Sequence, residues 1–280
     1  MRFTKMHGLG NDFVLVMAQD LPTLPMGELA SQLCHRHFGI GADGLVILGA
    51  GGLAPWRMQI FNADGSEAEM CGNALRCVGK FLYEEGLVQE QELVLEGYGG
   101  TIIPLRLTVQ QDLVVQVTVD MGSPIFTPAE VPILSQEAMV VNQPVVLAGQ
   151  EFLFTAVSIG NPHCVIFTHN LKDVLLEQWG PQLESCSLFP NKTNVEFVEV
   201  LSPKLAKVLV WERGVGPTLA CGSGASAVLA AGVVTGMLDR AAEIQLPGGS
   251  LSITWGEDNR LLMTGPAVKV FSGEYNPKGA

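Results

Sequence analysis

Shifted by 150 residues, the chain reads onto itself without a gap. Gly10-Asn11 falls on Gly160-Asn161, Cys71-Gly72 on Cys221-Gly222, Gly86-Leu87-Val88 on Gly236-Met237-Leu238, and Gly99 on Gly249. An internal duplication restricts the fold to two related halves. Such halves are ordinarily set about a pseudo-two-fold axis, so that equivalent loops meet. Here each of those loops carries a cysteine, which predicts two thiols at one seam and a reaction with two-sided symmetry.

At 280 residues the chain accommodates two domains, each large enough to bury its own core. Hydrophobic residues make up 48% and charged residues 16%, the balance of a packed globular protein. A net charge of -12 leaves no basic stripe for phosphate backbones, which argues against nucleic acid and for a small-molecule ligand. The longest small and apolar run, residues 225–234, is interrupted by Gly232 and falls short of the about 20 residues of a membrane helix. No membrane partner is expected. Residues 1–6 lead straight into Gly/Asn turn chemistry without a signal-peptide core, so a soluble, cytoplasmic protein with reduced thiols is the expectation.

The pattern is strand-rich. Residues 14–17, 45–48, 93–96, 105–109 and 113–119 read as strands in the first half. Residues around 157 and 164–168, 195–200, 208–211, 244–246, 251–255 and 268–271 read likewise in the second. Two small-residue stretches, 73–85 and 223–235, end at Gly86 and Gly236 and read as helices closed by a C-terminal glycine, with Asn73 and Ser223 as N-caps. The second is apolar nearly all round and should be buried. The fold expected is α/β of the α+β kind: two pseudo-symmetric halves, each a strand-rich, barrel-like sheet around a central helix. Prolines at 124, 128, 132 and 144 mark a connector with an edge element. The expected domains are 1–119, completed by 264–280, and 120–263.

Six cysteines (34, 71, 77, 164, 186 and 221) form no Cys-x-x-Cys pair, and no metal or cofactor is expected. The Cys34-His35-x-His37 cluster is a poor metal site: residues 35 and 37 diverge on a helix, and Arg36 stands between them. Buried hydrophobe is the reading for Cys34, Cys77, Cys164 and Cys186. Cys71 and Cys221 differ, because each precedes a helix in the same glycine context at equivalent repeat positions. A helix N-terminus favours thiolate, lowering a thiol pKa from about 8.5 toward neutrality, and its free N–H groups bind anions. Donors around Gly72-Asn73 and Gly222-Ser223 would cradle a carboxylate, fixing a Cα between two sulfurs. One thiolate then removes the α-proton while the opposite thiol delivers a proton to the other face. Duplicated packing is the competing explanation of the two cysteines.

Polar residues at related positions extend this site. Asn11 pairs with Asn161, Asn62 lies where Glu212 lies with Arg213 following, and Asn194 sits opposite Gly44. Together they could hold ammonium and carboxylate groups at both ends of an amino-acid substrate. The competing reading of the asparagines is turn chemistry beside glycine, and of Glu212-Arg213 an exposed charged pair. His163 is expected to shape the site rather than transfer protons. Two other functions fit the thiols: a racemase of proline or hydroxyproline, and a non-catalytic amino-acid-binding or redox-sensing protein whose cysteines form a disulfide.

The motifs resemble those of the diaminopimelate epimerase family, whose members need no pyridoxal phosphate. They are Lys5-Met6-His7-Gly8-Leu9-Gly10-Asn11-Asp12-Phe13, Phe61-Asn62-Ala63-Asp64-Gly65-Ser66, Cys71-Gly72-Asn73, Gly160-Asn161-Pro162-His163, Glu212-Arg213-Gly214, Ala220-Cys221-Gly222-Ser223-Gly224 and Leu246-Pro247-Gly248-Gly249. The resemblance implies that Cys71 and Cys221 are the acid/base pair. It implies that Asn11, Asn62, Asn161, Asn194, Glu212 and Arg213 hold diaminopimelate, with the backbone of Gly72-Asn73 and Gly222-Ser223 at the reacting carboxylate. It further implies closure of the halves over substrate, a homodimer, and a place in lysine and cell-wall synthesis. Three positions depart from the family pattern: Ala74 replaces a usual second glycine, Tyr98-Gly99-Gly100 replaces a small-polar/Ala-Gly turn, and Gly44 replaces a glutamine of some members. Were residue 74 to need a positive φ, alanine would cost about 1 kcal/mol.

Overall fold

A computed structural model describes residues 1–68 and 70–276. The chain divides into two compact units, Met1–Val119 with Gly265–Ala280, and Asp120–Thr264. In the first, the elements are β1 (Arg2–Gly8), β2 (Asn11–Met17), α1 (Met26–Cys34), β3 (Gly44–Ala50), β4 (Trp56–Asn62), β5 (Glu67–Ala68), α2 (Gly72–Glu84), β6 (Glu92–Glu96), β7 (Ile102–Gln110) and β8 (Leu113–Asp120). The second contains β9 (Gln143–Leu147), β10 (Gln150–Ser158), β11 (Pro162–Thr168), α3 (Leu176–Glu184), β12 (Asn194–Ser202), β13 (Leu205–Glu212), β14 (Gly216–Thr218), α4 (Gly222–Val234), β15 (Ala241–Leu246), β16 (Gly249–Trp255) and β17 (Leu261–Gly265). The last strand, β18 (Val268–Glu274), returns to the first unit and pairs antiparallel with β1.

The duplication is visible strand by strand. In the first unit β1 and β2 pair antiparallel, β2 and β3 parallel around α1, and β3 and β4 antiparallel. There β4 also takes β5 antiparallel and β6 parallel, and β6 continues to β7 and β8. The second repeats this: β10/β11 antiparallel, β11/β12 parallel around α3, β12/β13 antiparallel, then β14 and β15 on β13, and β16 and β17. Even the register is kept. Phe13↔Gly44 in β2/β3 corresponds to His163↔Asn194 in β11/β12. The helices α2 and α4 begin and end 150 residues apart.

In each unit the strands curl around one helix. Helix α2 packs on β1, β2 and β18 at one end of its strand run and on β7 toward the other. Strands spaced about 4.8 Å apart could not all reach one helix from a flat sheet. The approach to β7 and β8 is close: a Cβ at Gly79 would lie 3.1 Å from Leu107 and 3.3 Å from Val117. Helix α4 packs on β10, β11, β12, β15 and β16, and Gly222 and every residue from Gly224 to Gly232 is buried, as its apolar circumference requires. Separate apolar clusters hold α1 against β2 and β3 and α3 against β10–β12.

The structure differs from the sequence reading in detail. Cys71 and Cys221 themselves are the N-caps, in extended conformation, with Gly72 and Gly222 as first helical residues, so Asn73 and Ser223 lie inside the first turn. Ala74 is helical and fully buried, without a positive φ, so the substitution there is unstrained. Helices α1 and α3 and strands β1, β4, β5, β9, β14 and β17 add to the elements read from sequence. No helix among the described residues is long and apolar enough to cross a membrane.

Candidate active site

The candidate residues fall into two groups, one per unit. Tight turns with glycines in left-handed conformation, Gly10 (φ 89°) and Gly160 (φ 84°), present Asn11 and Asn161 at equivalent strand starts. In the first unit, Asn11 Oδ1 accepts from Asn73 Nδ2 (3.0 Å) and faces the Cys71 thiol at 3.7 Å. Its Nδ2 donates to Asp43 Oδ2 (2.8 Å). Arg36 then bridges Asp43 and Asp12, and the buried Lys5 pairs with Asp12 at 2.7 Å. Burial alone would push the Asp12 carboxyl up, but hydrogen bonds from Arg36 and Lys5 outweigh it and hold the pKa at about 2. Arg76, one turn along α2 from Cys71, is fully buried and donates Nε to Pro266 O at 3.1 Å.

Asn11, Cys71 and Asn73 therefore form one hydrogen-bonded group. Asn62 is not bonded to it: exposed at the end of β4, it donates Nδ2 to Ser66 Oγ (3.0 Å) in the adjoining turn. Gly44 stands in register between Phe13 and Asn62, where a Cβ would lie 3.0 Å from Phe61 O.

The second unit assembles a larger group. Asn161 Nδ2 donates to Ser223 Oγ (3.4 Å), and Ser223 Oγ is 3.5 Å from Cys221 Sγ. The Gly224 N–H donates to Cys221 Sγ at 3.3 Å, the helix-terminal N–H contact expected of a capping thiol. Glu212, at the end of β13, accepts from Thr218 Oγ1 (2.5 Å) and from Cys221. Asn194 joins two segments: its Nδ2 donates to Pro162 O (2.8 Å) and its Oδ1 accepts the Arg213 N–H (3.0 Å). The Arg213 guanidinium is exposed and reaches Asn191 O.

The thiol chemistry corrects one expectation. Desolvation, followed by the carboxylates of Glu212 and Glu196, pushes the Cys221 thiol well above its ordinary range. The Ser223 hydroxyl and the Gly224 N–H pull the other way but do not prevail. Burial likewise raises Glu212. Cys34 and Cys77 are buried and pushed to about 12, which suits inert packing residues. No cluster of three or more His, Cys, Asp or Glu side chains capable of holding a metal occurs among the described residues.

Several residues of this region were not singled out from sequence. Asp43 fixes Asn11. Glu184, at the C-terminal end of α3, accepts from Trp211 Nε1 (2.8 Å), the Gly214 N–H (3.0 Å) and Lys192 (3.2 Å), clamping the turn that carries Glu212 and Arg213. Glu196, fully buried, bonds His163 Nδ1 at 2.7 Å. The available signal was the repeat itself: His163 and Glu196 fall on apolar Phe13 and Val46.

Comparison with known proteins agrees with the motifs. The model of the family described as diaminopimelate epimerase matches residues 3–127 and 155–270. A diaminopimelate epimerase of Desulfitobacterium hafniense is 50% identical over 98% of this chain and 97% of the relative. One from Carboxydothermus hydrogenoformans is 52% identical over 98% of this chain and 99% of its own. Among solved structures, a probable proline racemase from Agrobacterium radiobacter superposes with a TM-score of 0.74 at 13% identity, covering 98% of this chain and 92% of that one, a likeness of fold alone. With full-length relatives at about half identity and a family model spanning both units, this chain belongs to the diaminopimelate epimerase family.

Proposed function

We propose that this protein interconverts LL- and meso-diaminopimelate without a cofactor, by α-proton transfer between two thiols, in lysine and peptidoglycan precursor synthesis. The observation that carries the reading is the pair of equivalent helices α2 and α4, each N-capped by a cysteine, in a chain of this family. One sulfur, as thiolate, takes the α-proton and becomes a thiol. The other thiol gives its proton to the opposite face of the carbanion and becomes a thiolate, so the centre is inverted and protons balance. Charge building on the substrate carboxylate is met by N–H donors of Gly72-Asn73 and Gly222-Ser223 at the helix N-termini. Asn11, Asn62, Asn161, Asn194, Glu212 and Arg213 hold the remaining ammonium and carboxylate groups. The protein works in the cytoplasm as a homodimer.

The test is deuterium incorporation at Cα of LL-diaminopimelate in heavy water, with reduced protein and no added cofactor. Wash-in accompanied by meso product, and abolished in Cys71→Ala and in Cys221→Ala, is the expected result. Absence of wash-in with all thiols reduced would overturn the assignment.

A further inference from the structure

A continuous hydrogen-bond path runs through the second unit to Cys221: Glu196 Oε1 to His163 Nδ1 (2.7 Å), His163 Nε2 to Asn161 Oδ1 (2.9 Å), Asn161 Nδ2 to Ser223 Oγ (3.4 Å), and Ser223 Oγ to Cys221 Sγ (3.5 Å). Glu196 and His163 are both fully buried. Nothing in the fold requires them there. In the first unit the same register positions hold Phe13 and Val46, which pack as ordinary core. A third position changes in step. Unit 1 has helical Ala74 where unit 2 has Gly224, and a Cβ at 224 would stand only 2.8 Å from Glu196 Oε1. The second unit has thus exchanged Phe, Val and Ala for His, Glu and Gly, opening space beneath the first turn of α4 for a carboxyl group.

The chemistry of the path depends on where hydrogens lie. A histidine with a hydrogen only on Nδ1 would present a bare Nε2. Asn161 would then turn its NH2 to the ring and its oxygen to Ser223, and Ser223 would donate away from Cys221. With a proton held between Glu196 and Nδ1 and a hydrogen on Nε2, every donor runs the other way: Nε2–H to Asn161 Oδ1, Asn161 Nδ2–H to Ser223 Oγ, and Ser223 O–H to the sulfur. The environment of Glu196 favours the second arrangement. Its Oε2 has no hydrogen-bond partner among the described residues, and a bare carboxylate so placed is costly unless it shares a proton. Glu212 and Glu196 already disfavour negative charge on Cys221, so a hydroxyl donor at the sulfur matters to any step in which that sulfur must be anionic.

We propose that Glu196 is a positioning residue: through His163 it fixes the Asn161 amide so that Ser223 donates to Cys221. This rests on the epimerase reading above. The carboxylates of Glu212 and Glu196 act on this thiol from β13 and β12, and the His163 ring on β11 acts on Glu212.

The test compares Glu196→Gln, which keeps a donor toward Nδ1, with Glu196→Val, which installs the residue unit 1 carries at this position. Nitrogen NMR of histidine-labelled protein, with His163 assigned from His163→Gln, reads the tautomer independently of activity. The Nε2–H form is expected in the wild type and in Glu196→Gln, and its loss in Glu196→Val. Epimerisation should stay within about threefold in Glu196→Gln and fall about 10- to 100-fold in kcat/KM in Glu196→Val, with both variants folded at the assay temperature. An unaltered tautomer in Glu196→Val, or equal activity of the two variants, overturns the proposal. Should Glu196→Val fail to fold, a changed tautomer or a tenfold loss in Glu196→Gln does so. A wild type that does not epimerise diaminopimelate defeats the assigned function, while the NMR arm still decides the role of Glu196.

Discussion

Gly224→Ala probes the exchange of three residues between the repeats. A Cβ at 224 would lie 2.8 Å from Glu196 Oε1, 3.2 Å from Cys221 Cβ and 3.3 Å from Cys221 Sγ. The carboxylate cannot swing aside without lengthening its 2.7 Å bond to His163. Overpacking of this sort costs about 1–3 kcal/mol, against which the helix propensity of alanine returns at most about 1 kcal/mol. With the full propensity gain counted, a net loss of up to about 2 kcal/mol is expected. The double variant Glu196→Val/Gly224→Ala recreates the Val46/Ala74 combination of the first unit. It should be more stable than the sum of the single changes by at least about 1 kcal/mol, the size of coupling seen between touching residues. Urea unfolding followed by tryptophan fluorescence suits the measurement, because Trp179, Trp211 and Trp255 of the four tryptophans lie in this unit. A Gly224→Ala protein as stable as the wild type, with strictly additive effects in the cycle, would refute the idea that this glycine makes room for Glu196.

Glu184→Gln places a donor against one of the N–H groups that Glu184 accepts from Trp211 and Gly214. It should cost about 1–3 kcal/mol in chemical unfolding and raise KM more than it lowers kcat, because the turn bearing Glu212 and Arg213 loosens; unchanged KM would argue against the clamp. Asp12 has its carboxyl held at about 2 against a usual 3.8, so its contribution to stability is complete above pH 3.8 and is lost as pH falls toward 2. Stability curves between pH 5 and 2 should accordingly flatten in Asp12→Asn, and an identical acid midpoint in the variant would count against the Lys5–Asp12–Arg36 network.

The helices α2 and α4 were legible because small residues, closing glycines and the 150-residue offset agree. Their caps were not, because asparagine and serine outrank cysteine as cap formers in general, whereas here Gly72 and Gly222 start the helices and leave the cysteines extended. Helix α3 was hidden by Gly180 and Pro181. The glycine is explained by packing, since the Trp211 ring lies against the space its Cβ would fill. Strand β1 was obscured by Lys5 and His7, and the lysine is buried only because Asp12 pairs with it. Among the candidate site residues, the cysteines and the asparagines beside glycine carried their own signal. Glu196 did not, because an isolated glutamate in a strand reads as solvent-facing until its parallel neighbour is known to bring a histidine.

The return of β18 to pair with β1 bears on how the chain acquires its structure during synthesis. Unit 2 is one uninterrupted segment, whereas unit 1 needs strands from both extremes of the sequence, with Pro266 O receiving Arg76 and Tyr275 O receiving the Met1 amino group. Domains usually fold in the order they leave the ribosome, and this topology works against that order. The later-encoded unit has all its strands first, while the earlier one waits with the free edge of β1 unpaired until β18 emerges. Until then the β1 edge is an open template for pairing with another chain, and a chaperone that shields it would guard against aggregation.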